Sequence, residues 1–189
     1  MELTISGYEK KLASELKQLP FEKLLFSGTW CCEYLDNKYG PDFNERGLDK
    51  ARKTLTDAIS FLWSAVDNPS AIKEADIKAQ LKKVENVSVG DLDFAIPKEC
   101  GILKTLESVE TVLNFSKNKQ VKYIVACASY PLDVIESIIN SKLDPFTTPP
   151  EIDVNHPLVK EETDAQKKLI DYLKSKETVT SADKHIFRS

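Results

Sequence analysis

Glycine is scarce in this chain, with six residues in 189. β-rich chains draw on glycine for their turns, so the shortage argues against sheets. Histidine is scarcer, with only His156 and His185. A structural zinc site needs four ligands, usually in close pairs. The cysteines at 31, 32, 100 and 127 could converge with the histidines only by tertiary accident, so no metal site is expected and no cofactor is called for. No glycine-rich phosphate loop exists, because Gly90 and Gly101 stand alone. No apolar run approaches the ~18 residues of a membrane-spanning helix. No charged leader followed by an apolar stretch opens the sequence, so no signal peptide is expected. Nor is there an excess of basic charge. The formal net charge is −4, and lysines alternate with acids, as in Glu9-Lys10-Lys11 and Lys160-Glu161-Glu162. Phosphate-backbone binding calls for a basic stripe, so no nucleic-acid function is expected.

What the chain does have is leucine, lysine, glutamate and alanine, all good helix formers. With 41% hydrophobic and 30% charged residues, it suits one ordinary globular domain. The stretch read as densest in large apolar and sulfur-bearing residues is Leu19 to Tyr39. Phe21, Leu24, Leu25, Gly28, Cys31, Cys32 and Leu35 fill more than one narrow face, which predicts a central helix packed on several sides. Gly28 costs such a helix roughly 1 kcal/mol relative to alanine, so a close neighbouring helix is expected there. Gly40-Pro41 reads as its stop, followed by a loop over 41–47.

An amphipathic helix precedes it over 4–18, with Ile5, Tyr8, Leu12 and Leu16 on one face. After it, 48–66 carries the clearest helical period, from Leu48 to Val66. A weaker helix spans 71–85 around Ile77, Leu81 and Val84. Segment 86–96 reads as irregular, with a short strand as the rival reading because apolar and polar residues alternate. Pro97 opens a helix to about 116. Another runs over 119–142, and Pro131 should kink or split it near Ser129. Residues 143–154 hold three prolines and read as an extended connector. Asn155 reads as the cap of a seventh helix with Pro157 in its first turn. From about Ser175 the chain is polar and aperiodic. The expected architecture is all-α: a single-domain antiparallel bundle of about seven helices over 1–175, with a flexible tail over 176–189.

Three groups of residues resemble a known family. Phe21-x-x-Leu24-Leu25-Phe26 is followed by Cys32-Glu33, then Tyr39 and Phe43. Ile59-Ser60-Phe61-Leu62-Trp63 and Asn155-His156-Pro157-Leu158-Val159 add to it. The chain resembles the YjaG-like bacterial proteins, domain of unknown function 416, over about residues 5–175. That family carries F-x-x-x-x-C-E-R followed by P-N-Y and a phenylalanine. Here Tyr34 replaces the arginine and Asn37-Lys38-Tyr39 replaces the triplet, so no role of that arginine carries over. The resemblance implies an all-helical fold and no catalysis.

Adjacent residues on a helix point about 100° apart, so Cys31-Cys32 reads as buried, reduced packing in a cytoplasmic protein rather than a redox pair. Glu33 and Asp36 share a face near the polar end of the central helix. Ser64, Ser129 and Ser137 have no histidine within a recognisable motif. The candidate binding residues are Glu33, Tyr34, Asp36 and Tyr39, with Phe146 in the proline-rich loop as an aromatic anchor for a partner. The leading expectation is a non-enzymatic protein that binds another protein, such as an immunity protein whose carboxylates meet a toxin's basic cleft. Two alternatives stand beside it: a small-molecule or enzymatic pocket lined by Cys32, Glu33, Trp63 and Tyr39, and a housekeeping homodimer through a helix face.

Overall fold

The computed structural model describes residues 5–143 and 152–188. Phe146 lies outside the described residues. Seven α-helices follow one another: α1 Ile5–Leu16, α2 Phe21–Glu45, α3 Asp49–Asp67, α4 Glu74–Glu85, α5 Pro97–Asn118, α6 Lys122–Asn140 and α7 Pro157–Ser175. Short 3₁₀ turns at Pro69–Ala71 and Ser181–Asp183 complete the chain. No strand occurs among the described residues, and none of their helices is long and apolar enough to cross a membrane.

Helix α2 is the axis of the bundle, as its composition predicts. Every residue from Leu24 to Cys32 is buried, because α3, α5 and α6 all pack on it. A helix apolar on all sides is stable only when all sides are covered. Gly28 marks the closest approach. A Cβ there would sit 2.7 Å from Ile124 Cδ1 and 2.8 Å from Val112 Cγ2. Thr29 is polar in this buried run, and its hydroxyl is satisfied by donating to the Leu25 carbonyl at 2.8 Å.

The structure corrects the expected stop at Gly40-Pro41. Helix α2 runs through Pro41 to Glu45. An interior proline costs about 3 kcal/mol. Burial of Phe43, fully enclosed in the core, returns about 1.5–3 kcal/mol. Lys98 on α5 adds ion pairs to Asp42 at 3.0 Å and Glu45 at 2.8 Å. The helix ends instead at Gly47, whose φ is +70°. Leu48 N–H donates to the Phe43 carbonyl and Gly47 N–H to the Asn44 carbonyl, the two bonds of a Schellman motif. Glycine is needed there because only it enters the left-handed region without strain.

Pro131 lies inside an uninterrupted α6 and does not split it. The cap of α7 is His156 rather than Asn155, its Nδ1 accepting from Leu158 N–H at 3.3 Å. Segment 86–96 is held by side chains. Glu99 accepts from Asp93 N–H at 2.7 Å, and Ser137 donates to the Phe94 carbonyl at 2.9 Å. The largest difference from expectation is the segment after Ser175, which lies against the bundle. Lys23 donates to the Lys176 carbonyl at 2.6 Å, Val179 is buried, and Ser181 donates twice to Asp67, each at 2.6 Å. Its polar residues find partners on α2 and α3, which sequence periodicity does not record.

Candidate functional site

The polar half of α2, the start of α7 and residues 184–188 enclose an open cleft of about 960 Å³. Trp30, Glu33 and Tyr34 come from α2, Glu161 from α7, and Lys184 and Arg188 from the returning segment. The α2 positions at 30, 33, 34, 37 and 38 lie three and four apart, so one helix face supplies them. Trp30 is buried, and its indole N–H donates to the Ile186 carbonyl at 2.9 Å. Glu33 accepts from Trp63 Nε1 at 2.9 Å and pairs with Lys184 Nζ at 3.0 Å. Lys38 donates to the Tyr34 hydroxyl at 2.8 Å.

Arg188 occupies the inner end. Its guanidinium carbon lies 3.5 Å from the ring centre of Trp30 and 4.1 Å from that of Tyr34. Its Nη2 pairs with Glu162, and both side chains are more than nine-tenths buried. Glu162 also accepts from Gln166 Nε2 at 2.6 Å. Gln166 donates further to the Ala128 carbonyl at 2.7 Å and accepts from the Tyr8 hydroxyl at 2.8 Å. Burial, and then the Glu162 charge, raise the Tyr8 pKa, so Tyr8 acts as a donor. The carboxylate is thereby fixed from three helices.

The seat is imperfect in two respects. Arg188 Nε and Nη1 are buried without hydrogen-bond acceptors, at a cost of about 1–3 kcal/mol for an unmet group. Stacking of a desolvated guanidinium on aromatic faces returns about 2 kcal/mol. The preceding residue, Phe187, has φ +64°, a region that costs a bulky side chain about 1–3 kcal/mol.

Of the expected site residues, Glu33 and Tyr34 border this cleft. Tyr34, which stands where the resembled pattern has arginine, carries an arginine over its ring instead. Asp36 turns toward α3, where Arg52 Nε lies 3.9 Å away and the Thr56 hydroxyl 3.4 Å. Its Oδ1 is buried without a hydrogen bond. Burial pushes its pKa up, opposed by Arg52. Tyr39 is buried beside Cys100 and Val134, away from the cleft. Cys32 is fully buried, and Trp63 stands behind Glu33. Cys32, Glu33, Trp63 and Tyr39 therefore do not line one pocket, because α2 sends Cys32, Glu33 and Tyr39 to different faces and Trp63 of α3 meets only Glu33 among them by a hydrogen bond.

All four cysteines are free and buried. Contrary to expectation, three of them meet: Cys127 lies against Cys31 and Cys32. Cys127 donates to the Gly28 carbonyl at 3.6 Å. Its closeness to Cys31 lowers the Cys31 pKa against the effect of burial, while contact with Cys31 and Cys32, and then burial, hold Cys127 well above the usual thiol value. Cys100 stands apart, pushed up to about 11 by burial. No cluster of three or more metal-ligating side chains occurs among the described residues.

Sequence reasoning missed Trp30, Glu162, Lys184 and Arg188. One signal was available. Lys184-His185-Ile186-Phe187-Arg188 sets two large apolar residues between cations in an otherwise polar segment.

No protein-family model and no curated protein matches the sequence. A solved structure of a DUF416 family protein from Shewanella baltica superposes with a TM-score of 0.70. It covers 93% of this chain and 90% of that one at 19% identity. The chain has the fold of that DUF416 protein. The resemblance read from Phe21 to Phe43 thus extends to the whole helical architecture, and at this identity it speaks of fold alone.

Asp36 yields a prediction. A folded-state pKa above the unfolded one means that the native state holds the proton more tightly. The contribution to stability is then complete below the unfolded pKa and is lost as pH rises through the folded value. Relative to Asp36→Asn, the wild type should therefore lose stability as pH rises above the ordinary carboxylate value of about 4. Guanidinium chloride midpoints of both proteins from acid to neutral pH measure it. A constant difference would show that Asp36 ionises normally.

Proposed function

We propose that this chain is a non-catalytic protein that binds another protein through the cleft at the polar end of α2. The role is that of a bacterial immunity protein occluding a toxin. The observation that carries the reading is the makeup of the cleft, in which aromatic faces alternate with charges of both signs. Trp30, Tyr34 and Phe187 meet Glu33, Glu161, Lys184 and Arg188. Buried aromatics and arginine inside a charged rim are the usual anchors of protein interfaces. The lining contains no serine, threonine or cysteine, and Glu33 is already engaged by Trp63 and Lys184. No serine, threonine or cysteine nucleophile thus stands beside the bases His185 and Glu161 there. The net charge of −4 favours a basic partner and speeds its approach. The four reduced thiols suit action in the cytoplasm.

The test is co-expression with the protein encoded beside it. Expected are rescue of growth from that protein's toxicity and a dissociation constant below about 1 μM by calorimetry. Toxicity unchanged, with no heat of binding to any neighbouring gene product, would remove the immunity reading.

A small-molecule pocket is a second reading. It is favoured by a volume that falls within the ~300–1,000 Å³ of ligand sites. It is opposed by the cleft's open, charged lining. Thermal shift against a metabolite panel separates the two.

A further inference from the structure

We infer that Trp30, Tyr34 and Glu162 form a guanidinium-binding site for an arginine of a protein partner, and that Arg188 fills it as an internal stand-in. The inference rests on the protein-binding reading and names the group recognised. Two aromatic faces and one buried carboxylate are what a guanidinium requires, since a flat cation takes ring faces above and below and an acceptor at its edge. All three groups are set in place independently of Arg188. Trp30 and Tyr34 project from the central helix α2. Glu162 is oriented by Gln166, which Tyr8 and the Ala128 carbonyl hold in turn.

The charge of the site depends on who occupies it. With residues 184–188 in place, Lys184 and Arg188 offset the carboxylates around the cleft. With those residues lifted, Glu33, Glu161, Glu162 and Asp164 face the opening against Lys38 and Lys168. The vacated site is acidic and aromatic, which suits a basic peptide loop.

The occupant is seated so that it can leave. Two of its buried nitrogens lack acceptors, and the residue before it is held in the left-handed region at φ +64°. A partner arginine arriving on an unstrained backbone meets the same rings and carboxylate without that backbone cost. Apart from Arg188 itself, residues 184–188 are attached by the Lys184–Glu33 pair, the Trp30–Ile186 bond and the packing of Phe187 on Tyr172. The Ser181–Asp67 bonds lie upstream and remain as a hinge. Residues 184–188 therefore act as a strap over the site.

The probe is the blocked pentapeptide acetyl-Lys-His-Ile-Phe-Arg-amide, with citrulline in place of arginine as the neutral control. Full-length Arg188→Gln should bind the arginine peptide at least about tenfold more tightly than the wild type, because the self-ligand no longer competes. The citrulline peptide should bind neither protein, and Arg188→Gln/Glu162→Gln should lose the arginine peptide. Equal affinity of Arg188→Gln and wild type, or equal binding of both peptides, would overturn the site. Should Arg188→Gln fold poorly, amide exchange in the wild type decides. Saturating arginine peptide should accelerate exchange at residues 184–188, and unchanged exchange would overturn the strap. Peptide binding with no neutralisation of a neighbouring toxin would sink the immunity role and leave the site standing. Neutralisation without peptide binding would do the reverse.

Discussion

Replacing Trp30 with alanine is expected to remove about 4 kcal/mol of stability, the cost of a large aromatic lost from a core. Trp30 is among the largest fully buried side chains of the protein, and it serves two layers at once. One face of its indole carries the Arg188 guanidinium at 3.5 Å, and its N–H holds the Ile186 carbonyl at 2.9 Å. Removal leaves a cavity beside Cys31 and strips the returning segment of its anchor. Two readouts separate these effects. The denaturant midpoint should fall with its slope unchanged. Amide exchange at residues 184–188 should rise far more than in the helices. Trp30→Phe keeps a ring for stacking and loses the N–H donor. It should cost about 1–2 kcal/mol and loosen the segment only in part. A loss under about 1 kcal/mol for Trp30→Ala would mean that the indole is not the packing centre described.

The second large effect is expected at Gly101, where α5 passes α2. A Cβ on Gly101 would enter the Tyr39 ring, lying 2.7 Å from its Cε1 and closer still to two other ring carbons. The ring cannot swing aside easily, because Leu35, Cys100 and Val134 pack round it. Overpacking of this kind costs about 1–3 kcal/mol or more. Alanine regains about 1 kcal/mol of helix propensity over glycine, so Gly101→Ala is the milder change. Gly101→Val, with two further methyl groups and a stiff χ1, should cost about 3 kcal/mol. At about 2–4 °C per kcal/mol for a chain of this size, the melting temperature falls by roughly 6–12 °C. A double-mutant cycle with Tyr39→Leu supplies the check. If the clash is the cause, the pair should be less destabilised than the sum of the singles. Strict additivity would place the cost elsewhere.

The helices were legible because their signal is local. Leu48 to Val66 repeats at a helical spacing, and α3 forms there. Crowding of large residues round Gly28 announced a helix covered on several sides, and neighbours do approach it closely. What failed to show depends on partners distant in sequence. Pro41 carries a local penalty, while the compensation comes from burial of Phe43 and from Lys98 on another helix. The segment after Ser175 lacks periodicity because single residues hold it, through Asp67, Glu33 and Glu162. The site was half visible. Glu33 and Tyr34 stood out as the polar end of an apolar helix, but nothing local joins Trp30 to Ile186, 156 residues away. Asp36 and Tyr39 share that stretch and are turned by the helical period toward α3 and α5 instead.

The burial of α2 on all sides also sets an order of events during synthesis. Leu24 to Cys32 is buried along its whole length, yet it leaves the ribosome before α3, α5 and α6, which cover it. Helix α3 follows directly, but Cys127 of α6, which closes over Gly28, is encoded 99 positions later. At about 5–20 residues per second, the ribosome needs roughly 5–20 s to deliver it. Throughout that interval the faces of α2 that α5 and α6 cover in the finished fold stay open, and transiently open apolar surface of this kind is the aggregation-prone stage of folding.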